Sequence, residues 1–212
     1  MAELYSGAMP EPESSDLGRY LEDTITIDWQ TPEVMEEARR LLEGAGHAEE
    51  RVERLFRFVR DEIVHSQDLP PSAKAPAQTC RASEVLKERT GLCYAKSHLL
   101  AGLLRIAGFP TGFCYERLAD SERGGRFVLH GFNAMYWQPS ERWIYLDARG
   151  DKQAVVTECR FEAPWSLAYP PDIEAGEGFL PFIYRRPGKR IIDLLERAPG
   201  FDAVVRNLPD RL

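Results

Sequence analysis

The sequence has little cysteine, and none of it stands in the spacing that metal or redox motifs use. Its four cysteines, Cys80, Cys93, Cys114 and Cys159, form no C-x-x-C pair, which argues against a zinc site or a thioredoxin-type motif. In a reducing compartment they would not form a disulfide framework either. What remains is core thiols and one reactive thiol. Basic residues are outnumbered, with 27 Lys and Arg against 34 Asp and Glu and a formal charge of −7. That balance argues against a nucleic-acid or anionic-membrane partner. There is no apolar run long enough to span a bilayer. The first sixteen residues are acidic and carry no basic-then-apolar signal pattern, so the expected location is the cytoplasm. No internal repeat and no low-complexity tract interrupts the chain.

The chain has 212 residues, 43% of them hydrophobic, enough for one domain with a real core. The expected unit is a single domain over 1–212, with 1–18 flexible and 150–212 a C-terminal extension packed on the core. Its first half reads as helix. Thr31-Pro32 opens an amphipathic helix that ends at Gly44, and a second runs from about His47 to Ile63. Before them, Tyr20 to Trp29 reads as an edge strand or an extended lead-in. His65 to Thr79 carries three prolines and no helical period, which predicts a surface loop. A short helix follows over Ser83 to Lys87. Leu92, Ala95, Leu99, Leu103 and Ile106 then recur at helical spacing, bracketed by Gly91 and Gly108. After Pro110 the period switches to two. Strands are predicted over Gly112–Leu118, Phe127–Trp137 and Arg142–Ala148, the last two joined by Gln138-Pro139-Ser140-Glu141. Beyond Gly150 prolines break the pattern, and only Arg190 to Arg197 reads as helix. Helices first and an antiparallel sheet second make the fold class α+β.

Cys93 sits in the first turn of the most apolar helix. Free backbone N–H groups and the positive end of the macrodipole favour a thiolate there, and the same N–H groups suit an oxyanion. A thiol nucleophile needs a base, and the base needs an orienting group. Of the four histidines, His98 lies five residues beyond Cys93 and, at about 100° per residue, points away from it. His47 reads as surface, and His65 stands at the edge of the proline-rich loop. His130 is mid-strand, where an apolar residue is expected. With a tight turn at Pro139-Ser140, Trp137 faces Arg142 and Phe132 faces Asp147, so His130 and Asp147 are diagonal neighbours on one face. Taken singly, Asp147 also fits a strand-end turn former. Taken with Cys93 and His130 it completes a nucleophile–base–acid triad.

Four blocks carry a wider likeness: Thr79-Cys80-Arg81-Ala82-Ser83-Glu84-Val85-Leu86, Gly91-Leu92-Cys93-Tyr94-Ala95-Lys96-Ser97, Leu129-His130-Gly131-Phe132-Asn133-Ala134, and Trp143-Ile144-Tyr145-Leu146-Asp147-Ala148-Arg149-Gly150. Together they resemble the transglutaminase-like branch of the papain-type cysteine enzymes, over roughly Asp28 to Lys152. The resemblance implies a helix carrying Cys93 packed on an antiparallel sheet carrying His130 and Asp147. It also implies thiol acyl chemistry on a protein, peptide or small amide, through a thioester and without a cofactor. Hydrolysis is expected over cross-linking, since nothing marks an amine-binding groove. The rival functions are a non-catalytic peptide-binding scaffold of the same fold and a coenzyme A-dependent acyltransferase. Animal transglutaminases carry an upstream tryptophan that assists the oxyanion. Here no tryptophan lies between Trp29 and Trp137, so Gln78 or His65, or else Gln67, is expected to stand in. No carboxylate cluster suggests calcium, and no metal is expected. The sequence leaves the substrate and the oligomeric state open.

Overall fold

The computed structural model describes residues 5–70, 78–120, 124–150 and 155–212. The centre is a helix, α4 (Cys93–Ile106), buried on every side from Cys93 to Arg105. A helix apolar all round belongs inside a domain. The polar residues it does carry are spent on backbone carbonyls. Lys96 donates to the carbonyls of Arg60 and Ile63, and the Arg105 guanidinium donates to those of Thr111, Glu22 and Arg185. His98 Nδ1 lies 2.7 Å from the Cys80 carbonyl. Burial lowers the pKa of His98 to about 4, so its ring is a neutral core group.

Three helices pack around α4: α1 (Pro32–Leu42), α2 (Ala48–Arg57) and α3 (Ala82–Glu88). The expected second helix is regular as far as Arg57. Its last turn, Phe58–Glu62, widens into a π-turn whose Arg60 carbonyl and the Ile63 carbonyl just beyond it accept from Lys96. Tyr20 to Trp29 forms no strand. A 3-10 turn at Leu17–Tyr20 leads into irregular chain, and Ile27 is buried in the core.

Against α4 lies an antiparallel sheet in the order β6-β5-β4-β7, made of β4 (Thr111–Asp120), β5 (Arg126–Trp137), β6 (Arg142–Leu146) and β7 (Gly178–Phe179). The β5–β6 pairing places Trp137 opposite Arg142 and Asn133 opposite Leu146, the register expected from the tight turn. Alternation along the strands divides the core in two. Phe113, Tyr115, Leu129 and Met135 join the core around α4, while Cys114, Phe132, Ala134 and Tyr145 join a second cluster with Tyr20 and Ile183. Gly131 sets the approach of α4 to β5: a Cβ there would lie 2.7 Å from Tyr94 Cδ1, and the Tyr94 hydroxyl donates to the Leu129 carbonyl.

Two two-stranded pieces complete the fold. β2 (Val64–His65) pairs in parallel with β3 (Thr90–Gly91), and β1 (Glu11–Pro12) pairs in parallel with β8 (Phe182–Ile183). The N-terminal segment expected to be flexible is thus tied down from residue 6 onward. Ser6 pairs with Phe179, and the Tyr145 hydroxyl donates to the Pro10 carbonyl at 2.6 Å. Backbone hydrogen bonds supplied by a strand 170 residues away have no local signature in the sequence. The C-terminal region adds α5 (Lys189–Arg197) and α6 (Phe201–Arg206), whose Ile191, Leu195 and Val204 enter the α4 core. No helix among the described residues is long and apolar enough to cross a membrane.

Candidate active site

Cys93 is the first residue of α4, following the extended Leu92. Its own N–H has no partner within the helix. It donates instead to His65 Nε2 at 3.2 Å. His65 is brought there by the β2–β3 pairing, which sets it beside Gly91. The Gln67 N–H approaches His65 Nδ1 at 3.4 Å, so both ring nitrogens face the backbone. Gln78, the other oxyanion candidate, goes elsewhere: its amide donates to the Leu195 carbonyl of α5. Gln67 is exposed. The part of the predicted loop at 71–77 lies outside the described residues.

His130 is 5% exposed and Asp147 1%. His130 Nε2 and Asp147 Oδ2 are 2.9 Å apart. Continuing the β5–β6 register by one residue puts Asp147 opposite Phe132, the diagonal position from which it meets the imidazole. Asp147 is fixed by two further donors, Arg149 N–H to Oδ1 at 3.0 Å and Ala168 N–H to Oδ2 at 2.8 Å. Burial alone would raise its pKa; the His130 charge and these hydrogen bonds outweigh that and hold it below the usual carboxylate value. His130 shows the mirror case. Burial would lower its pKa, but the charges of Asp147 and Cys93, and hydrogen bonding to both, hold it well above that of an ordinary histidine. Both shifts favour the charged forms of the pair, and the Cys93 side chain is within its reach.

A support layer surrounds these three residues. Tyr169 stands edge-on to the His130 ring, centroids 5.2 Å apart. Its hydroxyl accepts from Arg149 Nε at 2.8 Å, and the Arg149 guanidinium forms a two-pronged ion pair with Asp68. Sequence reasoning missed Tyr169, Ala168 and Asp68, because nothing in their own segments marks them. Glu116 was legible in principle: it is a carboxylate at an inward-facing position of an apolar strand.

The other three cysteines are free and held as thiols. Burial pushes Cys80 and Cys159 up to about 12 and the wholly buried Cys114 well above its ordinary value.

No curated protein matches the chain. Among solved structures it is similar to a candidate cysteine protease from Cytophaga hutchinsonii (17% identity, TM-score 0.48), over 64% of this chain and 43% of that one. It is also similar to the periplasmic domain of TgpA from Pseudomonas aeruginosa (18% identity, TM-score 0.44), over 62% of this chain and 46% of that one. The chain thus spans less than half the length of either. The sequence signature of the transglutaminase-like superfamily matches residues 36–148, a stretch that holds Cys93, His130 and Asp147. Since that match takes in more than half of its length, the chain belongs to the transglutaminase-like superfamily.

Proposed function

We propose that the chain is a cysteine-dependent enzyme that cleaves an amide through Cys93, His130 and Asp147. The observation that carries this reading is the buried 2.9 Å contact between His130 and Asp147, made beside a thiol at a helix start. Asp147 occupies Nε2, which leaves Nδ1 for the thiol. In the reactive form the Cys93 proton rests on His130, and the thiolate adds to the amide carbonyl. When the tetrahedral intermediate collapses, the C–N bond breaks, His130 protonates the leaving nitrogen, and a thioester remains. Water then adds to the thioester with His130 as base, and the thiol leaves. Water rather than an amine is the acceptor in this reading, and a peptide or glutamine-type amide is the substrate. Its setting is the cytoplasm, consistent with four unpaired cysteines.

Mapping the sites of iodoacetamide modification at neutral pH tests the assignment. Cys93 should alkylate at least about tenfold faster than Cys80, Cys114 or Cys159, because only thiolates react and burial opposes ionisation of the other three. Faster labelling of any of those three in the folded protein would sink the nucleophile assignment.

In the same reading His65 and the Cys93 N–H form the oxyanion site. At rest the Cys93 N–H is donated to His65 Nε2 at 3.2 Å; in this reading that bond opens on substrate binding, and the Cys93 N–H and a proton on Nε2 both turn to the oxyanion. His65→Ala should lower kcat about 10²–10³-fold with little change in KM, as loss of a single oxyanion donor does elsewhere, and His65→Gln should recover part of it. Gln78→Ala should leave kcat near wild type, since its amide is engaged by α5. A wild-type kcat in His65→Ala would remove His65 from the mechanism.

A further inference from the structure

Glu116 is a buried acid that the proposed mechanism does not use. It lies on β4 directly opposite His130 of β5, and its other neighbour in the sheet is Phe179 of β7. The residue is wholly buried, and neither carboxylate oxygen has a hydrogen-bond partner among the described residues. Ligand atoms of Glu116, His130 and Asp147 all lie within 4.8 Å of one another. A buried carboxyl without a partner is costly, and such groups call for an explanation. The charged or titratable groups around it are His130 from β5, Asp147 from the end of β6, Cys93 from α4, and Glu177 from the segment before β7. Burial, reinforced by Asp147, Cys93 and Glu177, raises the Glu116 pKa well above the usual carboxylate value, against a smaller opposing pull from His130.

Apart from the half-buried Glu177, the cluster holds three buried acids, Glu116, Asp147 and Cys93, and one base, His130. A single imidazolium balances a single anion, and Asp147 already supplies it. A second negative charge can sit on Cys93 or on Glu116, and each placement disfavours the other. Resting on the thiol chemistry proposed above, we propose that Glu116 is a positioning residue that competes with the Cys93 thiol for the ionised state beside His130, and so sets the pH at which the thiolate forms. Glu116 touches no reacting atom. It acts through the charge balance of the His130–Asp147 pair.

The test is the pH–rate profile of Cys93 alkylation by iodoacetamide. Glu116→Gln keeps the shape of the side chain and removes the competing acid. Its midpoint should fall by about half a pH unit or more, roughly threefold in thiolate fraction on the acid side. Glu116→Asp, which restores an acid, should stay near the wild-type midpoint. An unchanged or higher midpoint in Glu116→Gln with a native circular dichroism spectrum overturns the proposal, because a purely structural role would weaken reactivity and not advance it. A second measurement needs no variant. The Glu116 carboxyl carbon is followed by NMR in wild-type protein labelled with ¹³C-glutamate, before and after Cys93 is blocked with iodoacetamide. Coupling is reciprocal, so blocking the thiol should let Glu116 ionise at lower pH. An identical titration in both forms overturns the proposal while leaving the thiol assignment intact. Wild-type protein whose Cys93 shows no preferential alkylation overturns both.

Discussion

Replacing Asp147 with asparagine should lower the rate of amide cleavage about 10⁴-fold, the scale on which a triad loses activity when its acid can no longer hold the imidazole in the working state. Asparagine fits the same space and still accepts the Arg149 N–H. What it cannot do is oppose the burial of His130. In the native site burial drives the imidazole toward neutrality, and the carboxylate wins. Without that charge the largest influence opposing burial is gone, and the His130 pKa falls. His130→Ala should lose at least as much, and should also lower Cys93 alkylation at neutral pH. Stability should follow the same pair. His130 has a raised folded pKa, so its contribution is complete below the ordinary value of 6.5 and is lost as pH rises through the folded one. Asp147 has a lowered folded pKa, so its contribution is present above the ordinary 3.8 and is lost as pH falls through the folded one. The destabilisation caused by either substitution should therefore be largest between about pH 4 and 6.5 and shrink on both sides. A cleavage rate within tenfold of wild type in Asp147→Asn, on a substrate the native protein turns over, would remove Asp147 from the catalytic unit.

Much of this geometry could be read from local patterns. Gly91 and the apolar spacing of Leu92, Ala95, Leu99 and Leu103 located α4 and put Cys93 at its start. Period-two alternation and one tight turn gave the β5–β6 register, and with it the diagonal placement of His130 and Asp147. These features depend on residues close in sequence. The features that were not legible depend on residues far apart. The apolar stripe marks α4 as a buried helix, but nothing local shows where its Lys96 and Arg105 find partners. Only the folded chain shows that Lys96 reaches the Ile63 carbonyl and Arg105 the Glu22 carbonyl, which is what lets α4 be wholly interior. The N-terminal segment looked too acidic and proline-bearing to order itself. It is ordered by hydrogen bonds to the backbone around Phe179 and Ile183. Of the oxyanion candidates, Gln78 and His65 were equal in sequence. A two-residue parallel pairing of β2 with β3 carries His65 to Cys93, and no propensity announces a pairing that short.

The largest loss of stability from a single charge should come from Asp68. The Arg149 side chain is 3% exposed and Asp68 22%. The guanidinium is held by both Asp68 carboxylate oxygens and by the Tyr169 hydroxyl. Burial would lower the Arg149 pKa, and the bonds to Asp68 more than reverse that. Asp68→Ala leaves a permanently charged group buried without its counter-ion, a change that typically costs about 3–5 kcal/mol. The loss also has a route to the site. Asp68 lies three residues after His65, whose ring accepts the Cys93 N–H, and Arg149 lies two after Asp147. Tyr169 stands against His130. The ion pair thus joins the segment that places His65, the turn that fixes Asp147, and the ring that packs on the imidazole. Urea unfolding at neutral pH should show the midpoint of Asp68→Ala far below wild type, with Asp68→Asn between them because it keeps a hydrogen-bond acceptor. The double variant Asp68→Leu with Arg149→Met should recover much of the loss, since removing both charges leaves no orphan. The exposed Arg39–Glu36 pair, with side chains 75% and 65% accessible, is the control, and Arg39→Ala should leave the midpoint where it was. If Asp68→Ala unfolds at the wild-type midpoint, the Arg149 guanidinium is not a buried charge that depends on Asp68, and the coupling of the two segments through it fails as well.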